Sequence, residues 1–242
     1  MSRNHSSESP CRMDESKGEM AVSEIHEVDN HGFVRLVDMM GNDMSVVRAA
    51  RVSYGNETKG EVADKKLIHY LMKHNHGTPF EHIVFTFHIK CPIFVARQWF
   101  RHRIGSFNEI SGRYTELCTE FHIPEMFREN KTDNHQASIE GDFSENEVAS
   151  MLTEWNYALD IVESTYQSLL EKGVAREQAR AILPVGTYTE FYWTVNLRSL
   201  FNFLRLRMAE DSQEEMRGYA NVVSEISKGY AEWCFEAFNS EP

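Results

Sequence analysis

No stretch of this sequence approaches the ~20 apolar residues that a membrane-spanning helix requires, so a membrane protein is not expected. No basic flank leads into an apolar core near Met1, so no secretory signal is expected either. Cysteine is sparse. Cys11, Cys91, Cys118 and Cys234 are scattered and form no Cys-x-x-Cys pair. That argues against a disulfide scaffold and a thiolate zinc site, and a reducing cytoplasm is the expected compartment. No Gly-x-Gly-x-x-Gly follows a strand-like run, which leaves a doubly wound dinucleotide fold without support. Gly-x-Ser-x-Gly is also missing, so Ser-His-Asp chemistry has no local signature. Positive charge is in deficit: 25 Lys+Arg stand against 37 Asp+Glu, for a formal charge of −12. General nucleic-acid binding, which neutralises many phosphates, is disfavoured. A small anionic ligand in a local basic pocket is not.

What remains is ordinary globular material: 242 residues, 41% hydrophobic and 26% charged, which is ample for a core. Residues 1–30 are rich in Ser, Glu and Asn and are expected to be a disordered extension before a single domain over 31–238. The polar run 129–147 reads as an exposed loop. Strands are expected over 33–38, 83–89 and 187–195, with a further sheet segment over 114–123. In the second of these, Ile83, Phe85, Phe87 and Ile89 alternate onto one face. Helices are expected over 44–52, 64–73, 93–103, 145–171, 176–183, 196–208 and 214–235. Asn42 or Asp43 is available to cap the first, and Pro92 sits at a first-turn position. Strands and helices in this irregular order predict an α+β fold, a mixed or antiparallel central sheet flanked by helical bundles.

The densest polar segment runs from Arg97 to Tyr114, with four arginines against the single carboxylate Glu109. Guanidinium forks match phosphate oxygens, and Ser106, Ser111 and the amides near Gly105 and Gly112 add neutral donors. Composition alone leaves a phosphorylated ligand and a surface ion-pair face equally open. On the 196–208 helix, Arg198, Asn202 and Arg205 share one face, and Arg207 lies about 140° round from Asn202 by helix geometry. His74 and His76 lack a nearby third ligand, so no metal is expected. Cys91, between a strand and a helix, reads as a buried small hydrophobe rather than a nucleophile.

Arg101-His102-Arg103, seven intervening residues and Ser111 resemble the signature of the flavin-dependent thymidylate synthases. Further blocks are similar to that family in order and spacing: Thr78 to His82, Pro92 to Trp99, Asn108 to Tyr114, Ala179-Arg180 through Pro184, and Asn196 to Leu200 through Arg207. The resemblance covers Gly32 to Phe238. It implies a catalytic domain that is a methyltransferase in dTMP biosynthesis, converting dUMP to dTMP. It further implies 5,10-methylenetetrahydrofolate as carbon donor, FAD reduced by NADPH as hydride source, and a homotetramer with active sites where subunits meet. Position by position, it implies dUMP contacts at Gln98, Arg101, Glu109, Ser111, Gly112, Arg113, Arg180 and Arg207, with Arg207 assisting ionisation at uracil N3. It implies FAD contacts at Ser53, His76, Thr78, Arg101, His102, Arg103, Glu109, Asn196, Arg198 and Asn202. The competing reading is a non-catalytic nucleotide- or RNA-binding protein using the Arg101–Arg113 cluster. A simple basic patch has no need of the polar residues at 76–81 and 196–207, and the net charge opposes it.

Overall fold

The computed structural model describes residues 24–55, 58–117, 119–130 and 138–240. A five-stranded antiparallel sheet forms the centre, in the order β1-β2-β3-β7-β4. Its strands are β1 (Ile25–Glu27), β2 (Phe33–Met40), β3 (Val84–Pro92), β4 (Ser106–Glu109) and β7 (Tyr188–Asn196). The α+β expectation therefore holds. The alternation in β3 and β7 is what builds the core. Registers Phe85↔Val195, Phe87↔Trp193 and Ile89↔Phe191 put six buried apolar side chains on one face of the sheet. The opposite face is polar. There Arg35 Nη2 meets His88 Nδ1 at 3.1 Å, and His88 Nε2 meets Glu190 at 2.9 Å.

Helices α3 (Ile93–Trp99), α6 (Leu197–Arg207), α7 (Glu214–Lys228) and α8 (Glu232–Asn239) carry much of the rest of the core. Trp99, Trp193 and Phe203 are fully buried, with ring centroids 4.9–5.3 Å apart. Aromatic pairs at such distances add about 0.5–1.5 kcal/mol each beyond burial. Trp99 is the last residue of α3 and Phe203 lies one turn before the end of α6, so this block fixes the end of α3 against α6.

Helix α1 (Asp43–Ala50) is capped by Asn42 in a capping box with Ser45. Helix α2 (Glu61–Lys73) starts one turn earlier than its apolar stripe predicts, after Gly60 at φ +89°. The expected 93–103 helix stops at Trp99, with Pro92 as its N-cap rather than its first turn. The expected 214–235 helix breaks at Gly229 and resumes as α8.

Four expectations differ from the fold. The fold begins before residue 31: β1 pairs with β2, and Asp29 accepts hydrogen bonds from Tyr188 Oη (2.8 Å), Tyr219 Oη (3.0 Å) and the Gly32 amide (2.6 Å). Residues 1–23 lie outside the described residues. The 129–147 segment is not simply a loop, because β5 (Arg128–Asn130) pairs with β6 (Ser138–Glu140) and α4 (Glu145–Glu171) starts inside it, capped by Ser144; residues 131–137 lie outside the described residues. Among the described residues, the 114–123 segment pairs with the sheet through an isolated bridge, Phe121↔Thr187, rather than as a strand. A short helix, α5 (Arg176–Ala179), and a 3₁₀ turn over 180–182 replace the single helix expected over 176–183.

Candidate active site

The candidate residues fall into three groups. The first gathers where α3 ends against the last turn of α6. Arg207 Nε donates to His102 Nε2 at 2.9 Å, and Arg207 Nη2 donates to the Gln98 carbonyl at 3.0 Å. Gln98 Nε2 in turn donates to Gln213 Oε1 at 2.5 Å. Burial and then the charge of Arg101 pull Arg207 below the usual arginine value. Burial, followed by the Arg207 charge, pushes His102 down to about 4. His102 is therefore neutral near pH 7 and free to accept from Arg207. Arg101 and Arg103 stand exposed on either side of it.

The second group lies along β4 and the turn after it. Glu109 Oε1 accepts from Thr189 Oγ1 at 2.7 Å. Gly112 is buried against Leu117, whose Cδ1 would lie 2.7 Å from a Cβ placed there. Arg113 Nε pairs with Glu177 of α5 at 3.3 Å, and the half-buried Arg180 follows on the next turn. Ser111 Oγ lies 3.4 Å from the Arg113 amide. Among the described residues, no hydrogen bond or ion pair joins this group to the first.

The third group surrounds the C-terminus of α2 and the N-terminus of α6. Asn75 takes the left-handed conformation at φ 56°, which asparagine tolerates better than most residues, and His76 follows it. Thr78 opens a 3₁₀ turn that packs against α1, and Ser53 lies on the exposed turn just after α1. Arg198 Nη1 pairs with Glu81 Oε1 at 2.6 Å. Asn196 caps α6 by accepting from the Ser199 amide at 2.9 Å. A cleft of about 210 Å³ opens here between Asn75, Gly77, Phe80, Arg198, Asn202 and Arg205.

That donor set suits a flavin dinucleotide. Two guanidinium groups and two carboxamides line a concave surface, donors that a pyrophosphate can accept from. Gly77 contributes by what it lacks. A Cβ there would fall 2.4 Å from Arg198 Nε, so only glycine lets this arginine lie against the chain.

Gln213, Glu81 and Glu177 join these groups without having been singled out as candidate residues. Glu81 lies within a family-like block, whereas nothing local marks Gln213 or Glu177. His74 and His76 make ring contacts with Tyr70 (centroids 4.3 and 6.0 Å), and among the described residues no three His, Cys, Asp or Glu side chains gather to hold a metal ion. Cys91 is fully buried, and desolvation raises its thiol well above the usual value, which makes it a poor nucleophile.

The family model for thymidylate synthase complementing protein (Thy1) matches residues 35–231. This chain belongs to the Thy1 family. Thy1 relatives named flavin-dependent thymidylate synthase include one from Thermosipho africanus, 54% identical over 220 residues, covering 88% of this chain and 93% of the relative. Another, from Thermus thermophilus, is 53% identical over 207 residues, covering 86% of this chain and 75% of the relative. Among solved structures, the UMP/dUMP methylase PolB from Streptomyces cacaoi, bound with 5-Br dUMP, is 34% identical. It superposes with a TM-score of 0.79 over 86% of this chain and 95% of its own. The Thy1 match takes in all three groups of candidate residues.

Proposed function

We propose that this chain is a flavin-dependent thymidylate synthase that methylates dUMP to dTMP. The observation that carries the reading is the position of Arg207. It is brought from α6 to the Arg101-His102-Arg103 segment and held there by two hydrogen bonds. The net change at uracil C5 replaces hydrogen by methyl. A methylene carbon and a hydride arrive, and the C5 proton leaves. Ring carbon C5 attacks more readily once negative charge develops on the uracil, and a fixed guanidinium stabilises that charge where it forms. Arg207 is the group assigned to this task. Arg101, Arg113 and Arg180 supply guanidinium groups for the phosphate, and Gln98, Glu109, Ser111 and Gly112 supply polar contacts to the nucleotide.

FAD supplies the hydride when bound, with NADPH as its reductant and 5,10-methylenetetrahydrofolate as the carbon source. Arg198, Asn202, His76, Thr78, Ser53 and the His102-Arg103 pair are the residues assigned to hold it. Among the described residues, the nucleotide-directed residues lie in two groups with no hydrogen bond or ion pair between them. A homotetramer in which a neighbouring subunit completes each site accords with that separation. A cytoplasmic location agrees with the chemistry, and among the described residues no helix is long and apolar enough to cross a membrane.

The test is an anaerobic absorbance spectrum of the purified protein with FAD. The flavin band is expected to bleach with NADPH and to shift on adding dUMP. Absence of flavin binding under any condition would overturn the reading and leave a phosphate-binding surface. A narrower test uses Gly77. Its φ of −76° suits alanine, so Gly77→Ala keeps the backbone but pushes Arg198 off its bond to Glu81. FAD affinity is expected to fall about tenfold, the effect of one charge-assisted hydrogen bond, with the melting temperature nearly unchanged. Flavin titration followed by fluorescence checks this, and an unaltered Kd would remove Arg198 from the flavin site.

A further inference from the structure

We infer that His102 is a positioning residue for Arg207, holding the guanidinium so that one defined edge is left for the nucleotide. This rests on the assignment of Arg207 to the uracil. The argument starts from the five N–H donors of a guanidinium, which form two bidentate edges. Nε and the nearer Nη2 hydrogen make the side-on edge; Nη1 and the second Nη2 hydrogen make the end-on edge. Here Nε donates to His102 Nε2 at 2.9 Å and Nη2 donates to the Gln98 carbonyl at 3.0 Å, while Nη1 has no hydrogen bond among the described residues. The end-on edge keeps its donors in the fork geometry that matches two adjacent acceptors, such as a ring nitrogen and its neighbouring carbonyl oxygen.

The clamp is itself supported. The His102 ring packs edge-on against the fully buried Phe203, with centroids 5.0 Å apart, and Phe203 lies one turn before Arg207 on α6. The His102 amide donates to the Trp99 carbonyl at 3.0 Å. Both supports belong to the aromatic block that joins α3 to α6. The charged group that acts on His102 is Arg207, and Arg101 in turn acts on Arg207. Burial favours the neutral ring that can accept from Arg207, and the positive charge of Arg207 acts in the same direction. A protonated ring has no lone pair for Arg207 and would repel it.

The experiment is a double-mutant cycle on FAD-saturated enzyme. His102→Leu, Arg207→Ala and the double variant are compared for dUMP affinity and for kcat and KM of dTMP formation. His102→Leu is expected to lower kcat at least 20-fold with saturating FAD. The double variant is expected to be no worse than Arg207→Ala alone, because His102 acts through that side chain. His102→Gln, whose amide oxygen can take the place of Nε2 as acceptor, is expected to recover most of the loss. A role in flavin binding alone predicts normal kcat and dUMP affinity once FAD is saturating, and it overturns the inference. Additive losses in the double variant overturn it as well. Imidazole ¹⁵N NMR supplies a readout independent of turnover and of folding yield. His102 is expected to show an unprotonated Nε2 at pH 7 and to titrate at a higher pH in Arg207→Ala. An unchanged titration would show the two groups to be uncoupled. If Arg207→Ala leaves dUMP binding and turnover intact while the ¹⁵N coupling is present, the assignment of Arg207 fails and the clamp stands.

Discussion

Arg207→Ala is expected to reduce dTMP formation by about 10²–10³-fold, the cost of removing one fixed donor from a site of developing negative charge. Flavin loading is expected to persist, because Arg207 is not itself among the residues assigned to hold FAD, and the cleft lined by Arg198 and Asn202 makes no bond to it among the described residues. The loss is expected mainly in kcat, since stabilisation that grows as charge develops acts on the transition state more than on bound dUMP. Arg207→Lys is expected to recover little. An ammonium is a point charge without the planar fork, so it cannot keep both the His102 and Gln98 contacts and still present a second edge. Single-turnover measurement of dTMP formation on FAD-saturated enzyme decides it. Normal turnover beside a loss of flavin affinity would move Arg207 out of the chemistry.

The parts of this arrangement were unequally visible in the sequence. Alternation in Ile83 to Ile89 and the aromatic, β-branched run over 187–195 specify two strands, because each repeats side chains onto one face of the sheet. Strand β4 was not legible. Ser106, Phe107, Asn108 and Glu109 carry one core-facing aromatic among polar residues, and the strand exists only because β7 offers a free edge. The break at Gly229 was hidden because the apolar pattern runs through it into α8. At the site, the residue types and their family-like blocks were legible. Their pairing was not: His102 and Arg207 are 105 residues apart, and only the packing of Trp99 on Phe203 brings them together. Helix geometry did place Arg207 on a different face of α6 from Arg198 and Asn202, and in the fold these faces lead to different groups.

Asp64 shows how a charge that reads as surface decoration can govern a neighbouring loop. The sequence pattern places it at the start of a helix, an ordinary position for a solvated acid. In the fold it lies in the first turn of α2 but is only 1% exposed. Its carboxylate pairs with the buried Arg51 at 2.6 Å, accepts from Thr58 Oγ1, and accepts from the Lys59 amide at 3.3 Å. Arg51 and Thr58 bracket the segment that carries Ser53, so one carboxylate ties both sides of it to α2. Burial pushes the Asp64 pKa up, but the bonds from Thr58, Lys59 and Arg51 outweigh it and hold the group below the usual carboxylate value. A carboxyl group depressed by folding stabilises the protein above its unfolded pKa of about 3.9 and loses that contribution as pH falls through the folded value. Stability tied to Asp64 is therefore expected to be complete at neutral pH and to disappear only below about pH 4. Asp64→Ala removes the carboxylate from beside a buried guanidinium and is expected to cost about 3 kcal/mol, as for other broken buried pairs. Asp64→Leu combined with Arg51→Met removes both charges and is expected to recover much of that loss. Urea unfolding of the three variants at pH 7 measures the difference. A single variant as stable as the parent would show that solvent already reaches the pair. Limited proteolysis separates loop from fold: cleavage between residues 52 and 60 is expected to quicken in Asp64→Ala and to stay fast in the double variant, because Leu restores the packing but not the bonds to Thr58 and Lys59.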